Sequence, residues 1–193
     1  MTDLIILATL LSGPKHGYQL KHEAGMILGQ QVLHNNLVYP ILRRFMNDGW
    51  VSRRTVAGER GQTRHRYAIT LLGQRELVAR LSAFSGADTR SADAFRLRVG
   101  LFQLLDSGSR AAILDARQQH LRSRLEKLEA VEANFSLDPY AREVTSQFQR
   151  ETELELEWIE RLRRRDKSSK SRRIAVEQRP ERRRAKSRSA KGV

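Results

Sequence analysis

The 193-residue chain contains no cysteine. Structural disulfides and thiolate zinc sites are excluded, and the expectation is a reducing compartment. Long apolar runs are also missing. The longest, LIILATLL from Leu4 to Leu11, falls short of the roughly 18 residues a membrane span requires, and no basic segment precedes it in the manner of a secretory signal. A soluble, cytoplasmic protein without a membrane partner is expected. Catalytic signatures are absent too. His16, His22, His34, His65 and His120 show neither HExxH spacing nor a cluster with carboxylates, and there is no GxSxG or phosphate-cradling glycine loop. Glu151, Glu153, Glu155, Glu157 and Glu160 scatter around a helix rather than forming an acid-base pair. Neither an enzyme nor a resident cofactor or metal is expected.

What the chain does have is positive charge, unevenly placed. The net charge is +14, with 11 basic and 5 acidic side chains in residues 1–80, 11 and 14 in 81–162, and 14 and 3 in 163–193. A basic front, a slightly acidic middle and a basic end fit a polyanionic partner met by the two ends. A solvated surface with a solubilising tail fits the same charges.

The first 80 residues alternate helical and extended patterns. Thr2 or Asp3 can cap a helix through Leu11, which Ser12, Gly13 and Pro14 end. That helix is apolar nearly all round, so it is expected to be covered on two sides. A second helix starts near His16 or Gly17 and breaks around Gly29. A third is NNLVYPILRRF, Asn35 to Phe45. Val51–Arg53 and Arg66–Ile69 are strand candidates, joined by AGERGQTR, whose Gly58 and Gly61 suit a hairpin loop. Thr70 then caps a fourth helix. Three helices followed by a hairpin give a mainly α winged helix-turn-helix domain, residues 1–82, with a two-stranded β hairpin wing.

Residues 82–94 are small and polar enough for a linker. Residues 95–165 form a helical region with apolar stripes. Leu114, Leu121, Leu125, Leu128, Val131 and Phe135 lie on the first long helix. Val144, Phe148, Leu154, Trp158, Ile159 and Leu162 lie on the next, which Pro139 opens. Stripes that long need a partner surface, and a second copy of the chain is the economical one. Packing back on the first domain is the alternative. Residues 166–193 have the composition of a disordered basic tail.

The third helix carries the most specific signal. Val38, Ile41, Leu42, Phe45 and Met46 make a core face at i, i+3, i+4, i+7 and i+8. The other side presents Asn36, Tyr39, Pro40, Arg43, Arg44 and Asn47. Guanidinium forks match guanine edges or phosphates, asparagine can pair adenine, and a tyrosine hydroxyl can reach a phosphate. Exposed arginine pairs are also common on helices that bind nothing. Pro40 removes a donor beyond the position where proline is free of cost, so a bent or loosened first turn is expected. Arg60, Arg64 and Arg66 in the hairpin can reach along the DNA backbone or into the minor groove. Arg53, Arg54 and Arg66 can equally be strand-surface charges. Lys15, His16 and Tyr18 sit where a helix start favours phosphates, with half-buried packing as the alternative for Tyr18.

Three motifs resemble the PadR-like bacterial transcriptional regulators: GPKHGYQLK (Gly13–Lys21), VYPILRRFMNDGWV (Val38–Val51) and GERGQTRHRYAITLLG (Gly58–Gly73). The resemblance spans about residues 3–165. It implies a winged helix, a C-terminal helical dimerisation region and ligand-responsive repression or, less often, activation. Carried to this chain, Tyr39 and its helix are the recognition element, Arg60 to Arg66 the wing, and Trp158, Ile159 and Leu162 the dimer-forming end. Leu37 departs from the family's small or hydroxyl residue two positions before the tyrosine, and the basic tail lies outside the family pattern. The expected function is a sequence-specific DNA-binding repressor acting as a homodimer on double-stranded DNA, with an unknown small-molecule effector. Phe102, Phe148 and Trp158 can line a flat-ligand pocket or simply pack. A non-specific, nucleoid-associated binder using the tail, or a winged-helix protein-interaction adaptor, are the alternatives.

Overall fold

The computed structural model describes residues 1–27, 33–57 and 63–189, with only the backbone described for 57, 63 and 167–189. The chain divides into two compact units, Met1–Asp106 and Ser107–Val193.

The first unit is built around α1 (Thr2–Thr9), in which Leu4, Ile5, Ile6 and Leu7 are all buried. Four consecutive buried residues place it at the centre of the unit, as its unbroken apolar character requires. Met1, not Thr2 or Asp3, occupies the cap position, and no side-chain cap bond is made. Asp3 lies one step inside, where a carboxylate faces the positive end of the helix dipole. After a 3-10 turn, Leu10–Ser12, the chain turns at Gly13, whose φ of 120° favours glycine. Lys15–His16 then form β1, α2 is Gly17–Ile27, and α3 is Asn35–Asn47.

In α3, Val38, Ile41, Leu42 and Phe45 of the expected core face are buried, while Met46 is half-buried. Gly49 (φ 72°) follows the helix end, and Trp50 N–H donates to Phe45 O at 2.8 Å. The hairpin of β2 (Val51–Ala57) and β3 (Thr63–Ile69) pairs Val51 with Ile69 and Arg54 with Arg66. The sheet has three strands, not the two expected, because β1 pairs with β3 in the order β1-β3-β2. A two-residue strand carries no alternation and is visible only through its partner.

Helix α4 (Leu71–Ser82) opens on the Thr-x-x-Gly motif. Thr70 Oγ1 accepts from Gly73 N–H at 3.0 Å and donates to Gly49 O at 2.7 Å, so one hydroxyl caps α4 and ties it to the end of α3. A Cβ on Gly73 would stand 2.1 Å from Trp50 O, so the helix start meets the strand only through glycine.

The stretch expected to be a linker is instead folded into this unit. It contains Phe84 and α5 (Ala87–Arg90) and runs into α6 (Ala92–Gly100), with Phe84 and the Phe95 of α6 both buried and their rings 6.2 Å apart. Arg98, 2% exposed, donates to Leu81 O, Ala83 O and Ala94 O at 2.9–3.1 Å and pairs with Asp88 at 2.6 Å. The guanidinium takes up orphan carbonyls at the end of α4. The first unit therefore reaches Asp106 rather than residue 82.

The second unit pairs α7 (Ser107–Asn134) with α8 (Pro139–Ser189). Asp138 Oδ1 accepts from Tyr140 N–H and Ala141 N–H at 2.8 and 3.0 Å, so Pro139 opens α8 as expected. Register is set by polar contacts: buried Arg117 forks Glu155 at 2.8 and 2.9 Å, Gln118 donates to Glu160 at 3.0 Å, and Arg110 pairs with Asp166 at 3.0 Å. The backbone of α8 is helical through Ser189, where composition predicts disorder. Arginine, lysine and glutamate are sound helix formers even where no core is available, so poverty in apolar residues does not itself exclude a helix.

Candidate nucleic-acid interface

One face of the first unit gathers residues from three separate stretches. His16, Gly17, Tyr18, Gln19, Tyr39, Arg64, His65 and Tyr67 line a concavity of about 580 Å³ where α2, α3 and the hairpin meet. Tyr18 is 67% exposed, so it is not the half-buried packing residue that the sequence left open. Its ring stacks near His22, with centroids 6.3 Å apart, and Lys21 Nζ lies 5.9 Å from its centroid. His16 Nδ1 is 3.2 Å from His65 O, and the His16 backbone N–H donates to Gln19 Oε1 at 3.1 Å. Tyr39 is partly exposed on α3, and a Cβ on Gly17 would come within 2.9 Å of its hydroxyl. The Gly-Tyr dipeptide thus has a steric reason: the glycine leaves room for the tyrosine of another helix.

Tyr67, beneath this concavity, has its phenol pushed above the ordinary tyrosine pKa, first by burial and then by the neighbouring Tyr39. The charge of Arg53, and a hydrogen bond from it, pull partly the other way.

The hairpin supplies the charge. Arg54 and Arg66 stand directly opposite each other, and Arg64 lies two residues before Arg66 on the same face. All three are exposed, and none has a carboxylate partner among the described residues. Like charges in register destabilise a hairpin, an arrangement that an approaching anion would relieve. Arg66 does donate to Pro14 O at 3.2 Å, which fixes its direction.

The structure separates the other expected contacts. On α3, Asn36, Arg43 and Asn47 are exposed, and Arg43 has no ion-pair partner among the described residues. Arg44, beside it, is ion-paired with Asp3. Lys15 is bound to Glu23 at 2.8 Å with its side chain 12% exposed, so it is not the free phosphate contact its sequence position suggests. The sequence could not show this, because the β1–α2 turn brings together residues eight apart. Arg60 lies outside the described residues. Gln19, His65 and Tyr67 line the concavity without having been singled out for it, while Arg54 stands with Arg66 on the hairpin face opposite that of His65 and Tyr67. Only cross-strand register, invisible in a linear scan, places Arg54 beside Arg66.

Among the residues expected at a dimer interface, Leu114, Leu121 and Ile159 are already buried in the single chain and are not free for a partner. Leu125, Leu128, Trp158 and Leu162 are partly exposed, and Phe148 is exposed beneath the Arg124 guanidinium, 5.1 Å from its ring centroid. No helix among the described residues is long and apolar enough to cross a membrane.

Residues 6–79 match the model of the transcriptional regulator PadR-like family. No curated protein matches the chain by sequence. Among solved structures, it is similar to Bacillus subtilis PadR in complex with operator DNA, with 19% identity, 83% of this chain and 94% of that one covered, and a TM-score of 0.41. It is similar to smu.1604c from Streptococcus mutans UA159, with 18% identity, 82% and 96% covered, and a TM-score of 0.38. A third is TA0346 from Thermoplasma acidophilum, with 25% identity, 53% and 86% covered, and a TM-score of 0.38.

Proposed function

We propose that this chain, whose residues 6–79 match the model of the transcriptional regulator PadR-like family, is a homodimeric repressor that binds a palindromic operator in double-stranded DNA. The observation that carries the reading is the concavity in which exposed Tyr18 and Tyr39 meet Arg64 and His65 of the hairpin, with Arg43 exposed on α3 and Arg54 and Arg66 exposed on the hairpin face opposite that of His65. In this reading α3 enters the major groove. Arg43, Asn36 and Asn47 reach base edges or phosphates, and the hairpin arginines follow the adjacent backbone. Two copies related by a two-fold axis would address half-sites about 10 base pairs, or a multiple, apart. The partly exposed Leu125, Leu128, Phe148, Trp158 and Leu162 are the surface proposed for the dimer. An effector would act by binding one dimer arrangement better than another, and a cytoplasmic location follows from the role.

The test is competition binding with the promoter beside its own gene, random duplex and single-stranded RNA. Arg43→Ala should erase the preference for operator. Arg54→Gln should weaken all duplexes alike and reduce the slope of log K against log salt by about 0.9, the share of one phosphate contact. If Arg43→Ala still selects its operator, α3 is not the reading element.

A second reading rests on the +11 carried by residues 163–193. A non-specific binder would use that segment as its main contact and bind random duplex or RNA as tightly as the promoter.

A further inference from the structure

Arg43 and Arg44 are neighbours on the outward side of α3, yet they differ electrostatically. Arg44, with a side chain 53% exposed, gives its Nη2 to Asp3 Oδ2 in the first turn of α1. The same Oδ2 lies 3.6 Å from Arg80 Nη1. Arg80 is itself held in place: its Nε donates to Glu76 Oε1 at 2.6 Å, and its guanidinium lies 4.6 Å from the Trp50 ring centroid. Two guanidiniums thus share two carboxylates, and this part of the face is neutral beside the uncompensated Arg43.

We propose that Asp3 competes with DNA for Arg44, and so keeps the affinity of the recognition helix below what its two arginines would otherwise give. This rests on the DNA-binding reading above. A carboxylate offers a guanidinium the same planar, charge-assisted acceptors as a phosphate. The exchange is cheap because Asp3 is not orphaned when Arg44 turns outward. Arg80 remains beside it, fixed by Glu76 and Trp50, and the dipole of α1 still favours its charge. Asp3 is therefore a tuning residue that acts through Arg44 and need not touch DNA.

The experiment uses the full chain and a duplex that the wild-type protein itself selects from a random pool. Asp3→Asn should bind that duplex roughly two- to fivefold tighter, the range set by releasing one exposed ion pair. In an Arg44→Ala background the same change should give no gain. Glu76→Gln removes equal charge nearby without freeing Arg44 and should gain less than Asp3→Asn. Thermal melts establish that each variant folds, and Asp3→Ser, a good residue for a helix start, replaces Asp3→Asn if the latter does not. An unchanged or weaker affinity in a folded Asp3 variant overturns the proposal, as does an equal gain with Arg44 absent. A wild-type protein that selects no duplex overturns the DNA-binding reading instead, and this shows before any variant is made.

Discussion

A methyl group at position 17 would stand 2.9 Å from the Tyr39 hydroxyl, closer than such contacts normally come. The clash is with the end of a side chain, so Gly17→Ala should move Tyr39 rather than unfold α2, and replacing a helical glycine should add about 0.5 kcal/mol of stability. If the hydroxyl contacts a phosphate, operator affinity should fall about fivefold, the worth of one hydrogen bond. Anisotropy titration beside a thermal melt separates the two effects, and unaltered affinity would remove Tyr39 from the interface. Tyr67 gives a pH prediction. Its folded pKa lies above the ordinary tyrosine value of about 10, so the folded state holds the phenolic proton more tightly than the unfolded state. The resulting stability is fully present below pH about 10 and is lost as pH rises through the higher folded value. Tyr67→Phe should flatten that alkaline decline in denaturation midpoints while leaving the slope near neutrality unchanged.

At the scale of elements, legibility follows the range of the interactions. The core face of α3 was readable because Val38, Ile41, Leu42 and Phe45 obey a local period. Thr70 and Gly73 were readable as an anchor because cap and glycine are three residues apart. The stretch from Ser82 to Ala94 has the small polar composition of a linker, yet it folds into α5 and the start of α6. What folds it is Arg98, which reaches back seventeen residues to Leu81 O and fifteen to Ala83 O. No periodicity announces a buried arginine that completes a helix end. Arg98→Ala should leave several of these carbonyls and the Asp88 carboxylate without their donor, at a cost of about 3 kcal/mol or more. Urea denaturation should show the loss, with the second unit's α7–α8 pairing unaffected at low denaturant. A change below about 1 kcal/mol would mean that the carbonyls find water and that α5 and α6 are held by Phe84 and Phe95 alone. The site was legible to the same degree: Tyr39 and Arg43 stood out on one helix, whereas the Asp3–Arg44 and Lys15–Glu23 pairs depend on folding.

For the molecule as a whole, the question is how affinity and selectivity divide along the chain. On α8, Tyr140, Val144, Phe148, Leu154, Trp158 and Leu162 fall within about a third of the circumference at 100° per residue. Of these, Tyr140, Val144, Phe148 and Leu154 are exposed. That stripe and the buried Arg117–Glu155 fork lie before Asp166, and the positive charge is concentrated after it. Residues 167–193 hold eleven basic and two acidic side chains, so ending the chain at Asp166 would lower its net charge from +14 to +5. Asp166 is the natural cut, because Arg110 pairs with it and Arg163 bonds Asp115 and Gln118. Each phosphate neutralised by the removed segment releases condensed counterions, so the shortened protein should bind all duplexes more weakly and show a shallower slope of log K against log salt. Its preference for operator over random duplex should persist, because base contacts are assigned to α3 and phosphate contacts carry no sequence information. Titrations at several salt concentrations, with both duplexes and both chain lengths, provide the measurement. An unchanged slope would show that the segment does not touch DNA. A collapsed preference would mean that it takes part in selectivity, against the division proposed here.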